Sequence, residues 1–300
     1  MSLIIVGSMA YDTIATPFER RERVLGGACT YASLAACKFS KPGIVGVIGD
    51  DFQEKHLKML ENRGVDITGV KREKGKSFFW EGVYHLDMNT RDTITTELNV
   101  FEKFDPVLPD SYKDKPYLFL ANIDPALQLK VLKQMKEVKF SVCDTMNLWI
   151  DIKRAEVTEV FSKVTCVVLN DSEIRQFTKT ANLILAAREI RKLGPKYVII
   201  KKGEHGASIV GPEGMYFSIP SYPVEDVIDP TGAGDSFAGA FIGYIAGQDK
   251  VDDTVLKKAM VYGNTVASFT VEGFGTDRLA EAGMDKIEDR IKELRKITDF

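Results

Sequence analysis

The chain is poor in the residues that build metal centres and covalent scaffolds. Its 300 residues include four cysteines and three histidines. Cys29, Cys37, Cys143 and Cys166 form no Cys-x-x-Cys pair, and His56, His85 and His205 fall at no metal-ligand spacing. That excludes a zinc site and a disulfide framework and predicts buried free thiols. Long apolar runs are missing too. The longest stretch of small apolar residues, Ser236 to Gly247, falls well short of the roughly 18 residues of a membrane span. Leu3 to Val6 is too short for the apolar region of a signal peptide, so a cytoplasmic protein with no membrane partner is expected. A net charge of −3 offers no general surface for nucleic acid. No Gly-x-Gly-x-x-Gly follows the first strand, which excludes a dinucleotide-dependent dehydrogenase. No complete Gly-x-x-x-x-Gly-Lys-Ser/Thr phosphate loop is present either.

What is present is a long alternation of strands and helices. Leu3 to Ser8 reads as a buried first strand. A helix is expected over Thr30–Phe39, a strand over Ile44–Ile48, and an amphipathic helix over Asp51–Arg63. From residue 116 the spacing predicts strands Pro116–Ala121, Lys139–Cys143, Val164–Leu169, Tyr197–Lys201, Ala207–Val210 and Met215–Ser218. Helices are expected over Ala126–Lys136, Asp151–Phe161, Asp171–Phe177, Asn182–Leu193, Gly234–Ala246, Asp253–Thr270 and Met284–Lys296. This rhythm predicts right-handed βαβ units and a mainly parallel sheet, with ligands at the carboxyl ends of its strands. Residues 75–98 break the rhythm. Phe78, Phe79, Trp80, Val83 and Tyr84, then Thr93 to Thr96, suggest strands with no helix between them, hence a small accessory sheet.

The most informative stretch runs from Asp229 to Phe241, Asp-Pro-Thr-Gly-Ala-Gly-Asp-Ser-Phe-Ala-Gly-Ala-Phe. Gly232, Ala233 and Gly234 let backbone N–H groups approach an anion, and the helix that follows adds unpaired donors and a positive dipole end. A carboxylate at Asp235 would repel a phosphate there, unless it takes the proton of a hydroxyl attacking that phosphate. Asn170-Asp171-Ser172-Glu173 follows a strand and places Asn170 and Glu173 on one side of a starting helix. The pair fits a helix cap with a solvated Glu, or a site near magnesium, which takes oxygen ligands and keeps several waters. Gly26-Gly27 precedes another helix, with Ala28 and Tyr31 just inside it. Asp12 follows the first strand, where a carboxylate suits vicinal hydroxyls or caps a turn. Gly203 and Gly206 form a Gly-x-x-Gly turn after Lys201-Lys202.

Taken in order along the chain, these motifs resemble the PfkB-type carbohydrate kinases, the ribokinase-like family. The resemblance implies a three-layer α/β/α fold with a mainly parallel central sheet and a small β-sheet lid. It implies one kinase domain over residues 1–300, with lid strands near 11–25 and 75–98. Asp235 would be the catalytic base, with Gly232, Ala233 and Gly234 as the anion hole. Asp12, Gly26, Gly27 and Tyr31 would contact the acceptor. ATP would be flanked by Asn170, Glu173, Lys202, Gly203, Gly206 and Asn264. Mg2+ would be held through water by Glu173, and in some members Asp229 and Thr231 hold K+. A lid of this kind covers the substrate and often pairs with a second copy. The chain departs from the family at the acceptor. Tyr31 stands where an Asn is common, and Ala10 and Ala28 replace polar sugar contacts.

The reading is an ATP-dependent kinase acting on a primary hydroxyl of a sugar or sugar-like compound. A nucleoside kinase of the same family is the alternative, because Tyr31, Phe78 and Trp80 offer faces for a base. A non-catalytic sensor on the same fold would not need Asp235, Asn170 and Glu173.

Overall fold

The computed structural model describes residues 2–299, so the ends of the expected domain, Met1 and Phe300, lie outside the described residues. The strands are β1 (Leu3–Val6), β2 (Ala10–Ala15), β3 (Arg20–Gly26), β4 (Pro42–Ile48), β5 (Asp66–Arg72), β6 (Phe78–Tyr84), β7 (Arg91–Glu97), β8 (Tyr117–Leu120), β9 (Phe140–Asp144), β10 (Cys166–Asn170), β11 (Tyr197–Lys201), β12 (Ala207–Val210) and β13 (Tyr216–Ile219). The helices are α1 (Ala28–Ala36), α2 (Glu54–Asn62), α3 (Pro125–Leu132), α4 (Asn147–Ile152), α5 (Arg154–Lys163), α6 (Asp171–Thr178), α7 (Leu183–Arg191), α8 (Ala233–Gln248), α9 (Asp253–Thr270), α10 (Asp277–Glu281) and α11 (Met284–Thr298).

Nine strands form the central sheet in the order β13-β12-β11-β10-β9-β8-β1-β4-β5. It is parallel except at the β11–β12 and β12–β13 pairs. Its central strands are apolar on both faces because helices cover both. In β1, Leu3 and Ile5 join the core of α1, α8 and α9, while Ile4 and Val6 join the opposite core with α3, α5 and α7. A ribokinase-like three-layer fold is therefore the architecture. Cys29, Cys143 and Cys166 are buried free thiols and Cys37 is half-buried.

The remaining strands make a second sheet, β3-β2-β6-β7. The first strand ends at Val6 rather than at Ser8. The chain turns at residues 7–9, and Asp12 sits inside β2, opposite Trp80 of β6. The link into this sheet contains Gly75-Lys76-Ser77, a fragment of a phosphate loop whose required preceding glycine is Val70. Its serine has a different use: Ser77 N–H donates to Asp51 Oδ1 at 2.7 Å, and Ser77 Oγ accepts from Gly49 N–H at 3.0 Å. These bonds tie the small sheet to the end of β4.

Two further differences have local causes. The helix expected over Asp151–Phe161 is split at Lys153, whose φ of −136° leaves the helical region. The edge strand β5 and the short α10 carry few apolar residues, so neither presents a periodic signal.

Candidate active site

The small residues of α8 set the site by letting two helices meet. A Cβ on Gly239 would strike the Ala32 backbone, and one on Gly243 would lie 2.6 Å from Ala36 Cα. α1 and α8 therefore pack backbone to backbone. At the head of that seam the Tyr31 ring lies flat against Gly232, leaving no room for a Cβ. Gly232 also has φ of 77°, the left-handed region, and acts as the N-cap of α8. One glycine thus serves both the turn and the close approach. Asp229 braces the loop from below, fully buried. Its Oδ1 accepts from Thr231 N–H at 2.8 Å and its Oδ2 from Gly275 N–H at 3.2 Å. Burial pushes its carboxyl up to about 6, against the pull of those bonds.

Asp235 lies in the first turn of α8 and is half-buried. Burial, then the nearby Asp144 charge, push its carboxyl up to about 7; Lys201 and Arg91 act the other way. Asn170 and Glu173 form a reciprocal capping box on α6, with Asn170 Oδ1 accepting from Glu173 N–H and Glu173 Oε2 accepting from Asn170 N–H, both at 2.7 Å. The glutamate is not solvated, being 5% exposed. Burial raises it to about 7, with Lys201 opposing and Asp144 adding to the rise. Cap and charged site are thus the same pair. Among the described residues no three His, Cys, Asp or Glu side chains are grouped to hold a metal. The donor set fits magnesium only where phosphates and water supply most ligands, with Glu173 at the outer edge.

Two residues at the strand ends lie in motifs of the sequence but were given no role from it. Lys201, the last residue of β11, pairs with Asp144, the last of β9, at 2.7 Å. Lys202 points elsewhere, and its Nζ donates to Ser218 Oγ at 3.3 Å. Strand alternation decides which of two adjacent lysines enters the site. The Gly-x-x-Gly turn after it is closed by Lys202 N–H donating to Gly206 O at 2.8 Å. Asn264 is buried on α9 and its Nδ2 donates to Pro220 O at 2.9 Å, fixing the segment beside that turn.

The residues expected to contact an acceptor lie on or beside α1 and the second sheet. Asp12 is 4% exposed, with its carboxyl pressed on Gly26. Burial, then Asp229 and Asp235, push it up to about 8, and the Gly27 N–H only partly offsets this. Gly27 has φ of 95°, and a Cβ there would lie 2.5 Å from Ser8 O. Ser8 also takes the first amides of α1: its Oγ accepts from Ala28 N–H at 3.1 Å and its O from Cys29 N–H at 2.9 Å. Tyr31 is 1% exposed and its hydroxyl is buried with no hydrogen-bond partner. Asp229, Asp12, Tyr84 and Asp235 add to burial in raising it further.

The second sheet reaches both sides. Tyr84 Oη accepts from Thr231 Oγ1 at 3.1 Å, next to the Gly232 turn. Arg91 is the register partner of Tyr84. At the hairpin tip, Asn89 lies against Gly203, where a Cβ would come within 2.6 Å of its Oδ1. Trp80 lies across Gly82, and its Nε1 donates to Thr93 Oγ1 at 3.2 Å. Phe78 packs on Phe101, ring centroids 5.4 Å apart, and Phe101 in turn stacks on Phe104 at the edge of the main core.

A glycine-lined helix N-terminus with a carboxylate in its first turn, beside a small second sheet, suits phosphoryl transfer. The chain matches the pfkB family of carbohydrate kinases over residues 2–282. It is 32% identical over 255 residues to the cytidine kinase of Thermococcus kodakarensis, covering 83% of this chain and 90% of that one. The nucleoside kinase of Burkholderia thailandensis, solved with inosine, superposes with a TM-score of 0.79 at 21% identity, covering 97% of each chain. Arabidopsis thaliana ribokinase, solved with ribose and ATP, gives 0.77 at 18% identity, covering 97% of this chain and 98% of that one. This chain belongs to the PfkB family. No helix among the described residues is long and apolar enough to cross a membrane.

Proposed function

We propose that the enzyme transfers the γ-phosphoryl group of ATP to the primary hydroxyl of a nucleoside, with Asp235 as the base. The observation that carries this reading is the lid face over Asp12. Asp12 and Trp80 are register partners, and paired residues point to the same face of a sheet. The flat indole over Gly82 therefore stands beside the carboxylate that would take sugar hydroxyls. A planar base attached to that sugar would meet an aromatic surface. The cytidine kinase relative supports the same choice.

In this reading the acceptor's vicinal hydroxyls bond to Asp12 and its attacking hydroxyl faces Asp235. An ordinary aspartate, near 3.9, is a weak base for an alcohol. At about 7, Asp235 is better matched to neutral operation. It still lies far below an alcohol, so proton transfer comes late and positioning carries much of the rate. The N–H groups at Gly232 and Gly234 receive the charge on the moving phosphoryl group; Ala233 N–H already donates to Pro230 O at 3.2 Å and joins them only by leaving it. Magnesium, held through water near Glu173, would neutralise charge across the phosphates. Asp229 and Thr231 would hold a monovalent cation only alongside the N–H bonds that Asp229 already accepts.

A panel of nucleosides and free sugars in an ATP-consumption assay tests the acceptor. Nucleosides should be turned over and free ribose or hexoses should not. Turnover of free sugars with nucleosides inert would replace this reading by the simple-sugar one.

A further inference from the structure

Lys201 has no role in the mechanism above, yet its placement is costly to maintain. Its side chain and that of Asp144 are 17% and 4% exposed, and a buried ion pair contributes little net stability. Both oxygens of Asp144 are held: Oδ2 accepts from Lys201 Nζ at 2.7 Å and Oδ1 from Thr145 N–H at 2.9 Å. The carboxylate is a fixed bracket for the ammonium. That bond uses one of the three N–H donors of Lys201. The ammonium lies at the head of α8, where a Cβ on Gly234 would come within 2.9 Å of Nζ. Gly234 thus leaves a path open between the lysine and the free N–H groups of the helix. Around it stand Asp144, Glu173 and Asp235, three acids that would otherwise repel a phosphate.

We infer that Lys201 is a catalytic residue that binds the transferring phosphoryl oxygens, and that Asp144 is the positioning residue that aims it. This rests on the reading that the head of α8 receives the phosphoryl group. In the step, the acceptor oxygen forms a bond to phosphorus as the bond to the bridging oxygen of the nucleoside triphosphate breaks. The nucleoside diphosphate leaves, and the acceptor's proton passes to Asp235. Lys201 keeps its proton throughout and supplies charge. Lysine serves here as a point charge with rotatable donors.

Steady-state kinetics of Lys201→Met, Lys201→Arg, Asp144→Asn and the Met/Asn double variant test the assignment, with melting used to select folded proteins. Lys201→Met should lower kcat by about 100-fold with the acceptor KM little changed. Lys201→Arg should recover part of the loss. The double variant should be no worse than Lys201→Met alone, because Asp144 acts only through the lysine. The double variant also removes both charges, so it tests the idea even where Lys201→Met fails to fold. Parental kcat in either, or a double-variant loss equal to the product of the single losses, overturns the inference. Asp235→Asn measured alongside separates the two readings. An inactive Asp235→Asn beside an active Lys201→Met removes only the lysine's role, and activity in both removes α8 as the transfer site.

Discussion

The two halves of the proposed active site treat their polar groups differently. On the proposed phosphoryl side, the charged and amide groups at the ends of β9, β10 and β11 have partners within the protein, although the Thr145 hydroxyl beside Asp144 is buried without one among the described residues. Asp144 is bonded at both oxygens, Asn170 and Glu173 cap each other, and Lys201 is paired. On the acceptor side partners are missing. The Tyr31 hydroxyl is buried with none, and Asp12 sits near Asp229 and Asp235 with no cation beside it. Buried polar groups are normally satisfied. The proposed phosphoryl side therefore holds its charged groups in fixed positions, whereas the proposed acceptor side leaves the Tyr31 hydroxyl for a ligand to satisfy.

Changes at Asp235, the proposed base, should break this comparison most severely. Asp235→Asn keeps the shape and loses the base, so kcat should fall about 10²- to 10⁴-fold while ATP still binds in a calorimetric titration. Near-parental turnover would show that Asp235 only shapes the turn. Gly232→Ala comes next, because it strikes both halves at once. The new methyl meets the Tyr31 ring and the left-handed backbone is strained, so kcat should drop by up to about 100-fold. Adding Tyr31→Ala should recover part of that loss by removing the ring. If the pair behaves additively, the seam between α1 and α8 does not set the anion loop.

A smaller effect isolates the acceptor half. Tyr31→Phe removes one hydroxyl and leaves the ring on Gly232. The acceptor KM should rise by up to about 10-fold with the ATP KM unchanged. Melting should not fall, since the deleted hydroxyl has no partner to lose. A lower melting temperature with normal KM would mean the hydroxyl has a structural use.

The same division governs what the sequence revealed. The phosphoryl half is written in short segments after strands, where small and acidic residues at close spacing carry the chemistry. Asp235 and its glycines were legible for that reason. Glu173 was legible only as two alternatives, because capping and charge placement use the same atoms. Lys201 was hidden by its neighbour, since only the observed register shows which lysine faces inward. The acceptor half depends on long-range meetings. Tyr84 reaches Thr231 across 147 residues, and Asn89 reaches Gly203 from a hairpin tip. Asp12 was identified as a candidate inside the expected strands near 11–25, but its pairing with Trp80 of β6 appears only in the folded sheet.

The smallest expected effect tests the unpaired acidic side through stability alone. Asp12 titrates near 8 in the folded protein and near the ordinary 3.9 when unfolded. A carboxyl raised by folding binds its proton more tightly in the native state. Its stabilising contribution is therefore full below about pH 4 and is lost as pH rises toward 8. Above that, the native state holds a buried carboxylate close to Asp229 and Asp235. Asparagine has nearly the same shape and no charge at any pH, so it fits against Gly26 without the penalty. Asp12→Asn should melt above the parent at pH 8, and the gap should close near pH 4. Acceptor affinity should fall in the same variant, because the lost carboxylate is the group left for the ligand. A variant that melts below the parent at pH 8 would mean that Asp12 has a stabilising partner in the folded protein. The contrast between a satisfied and a waiting half would then fail at its central residue.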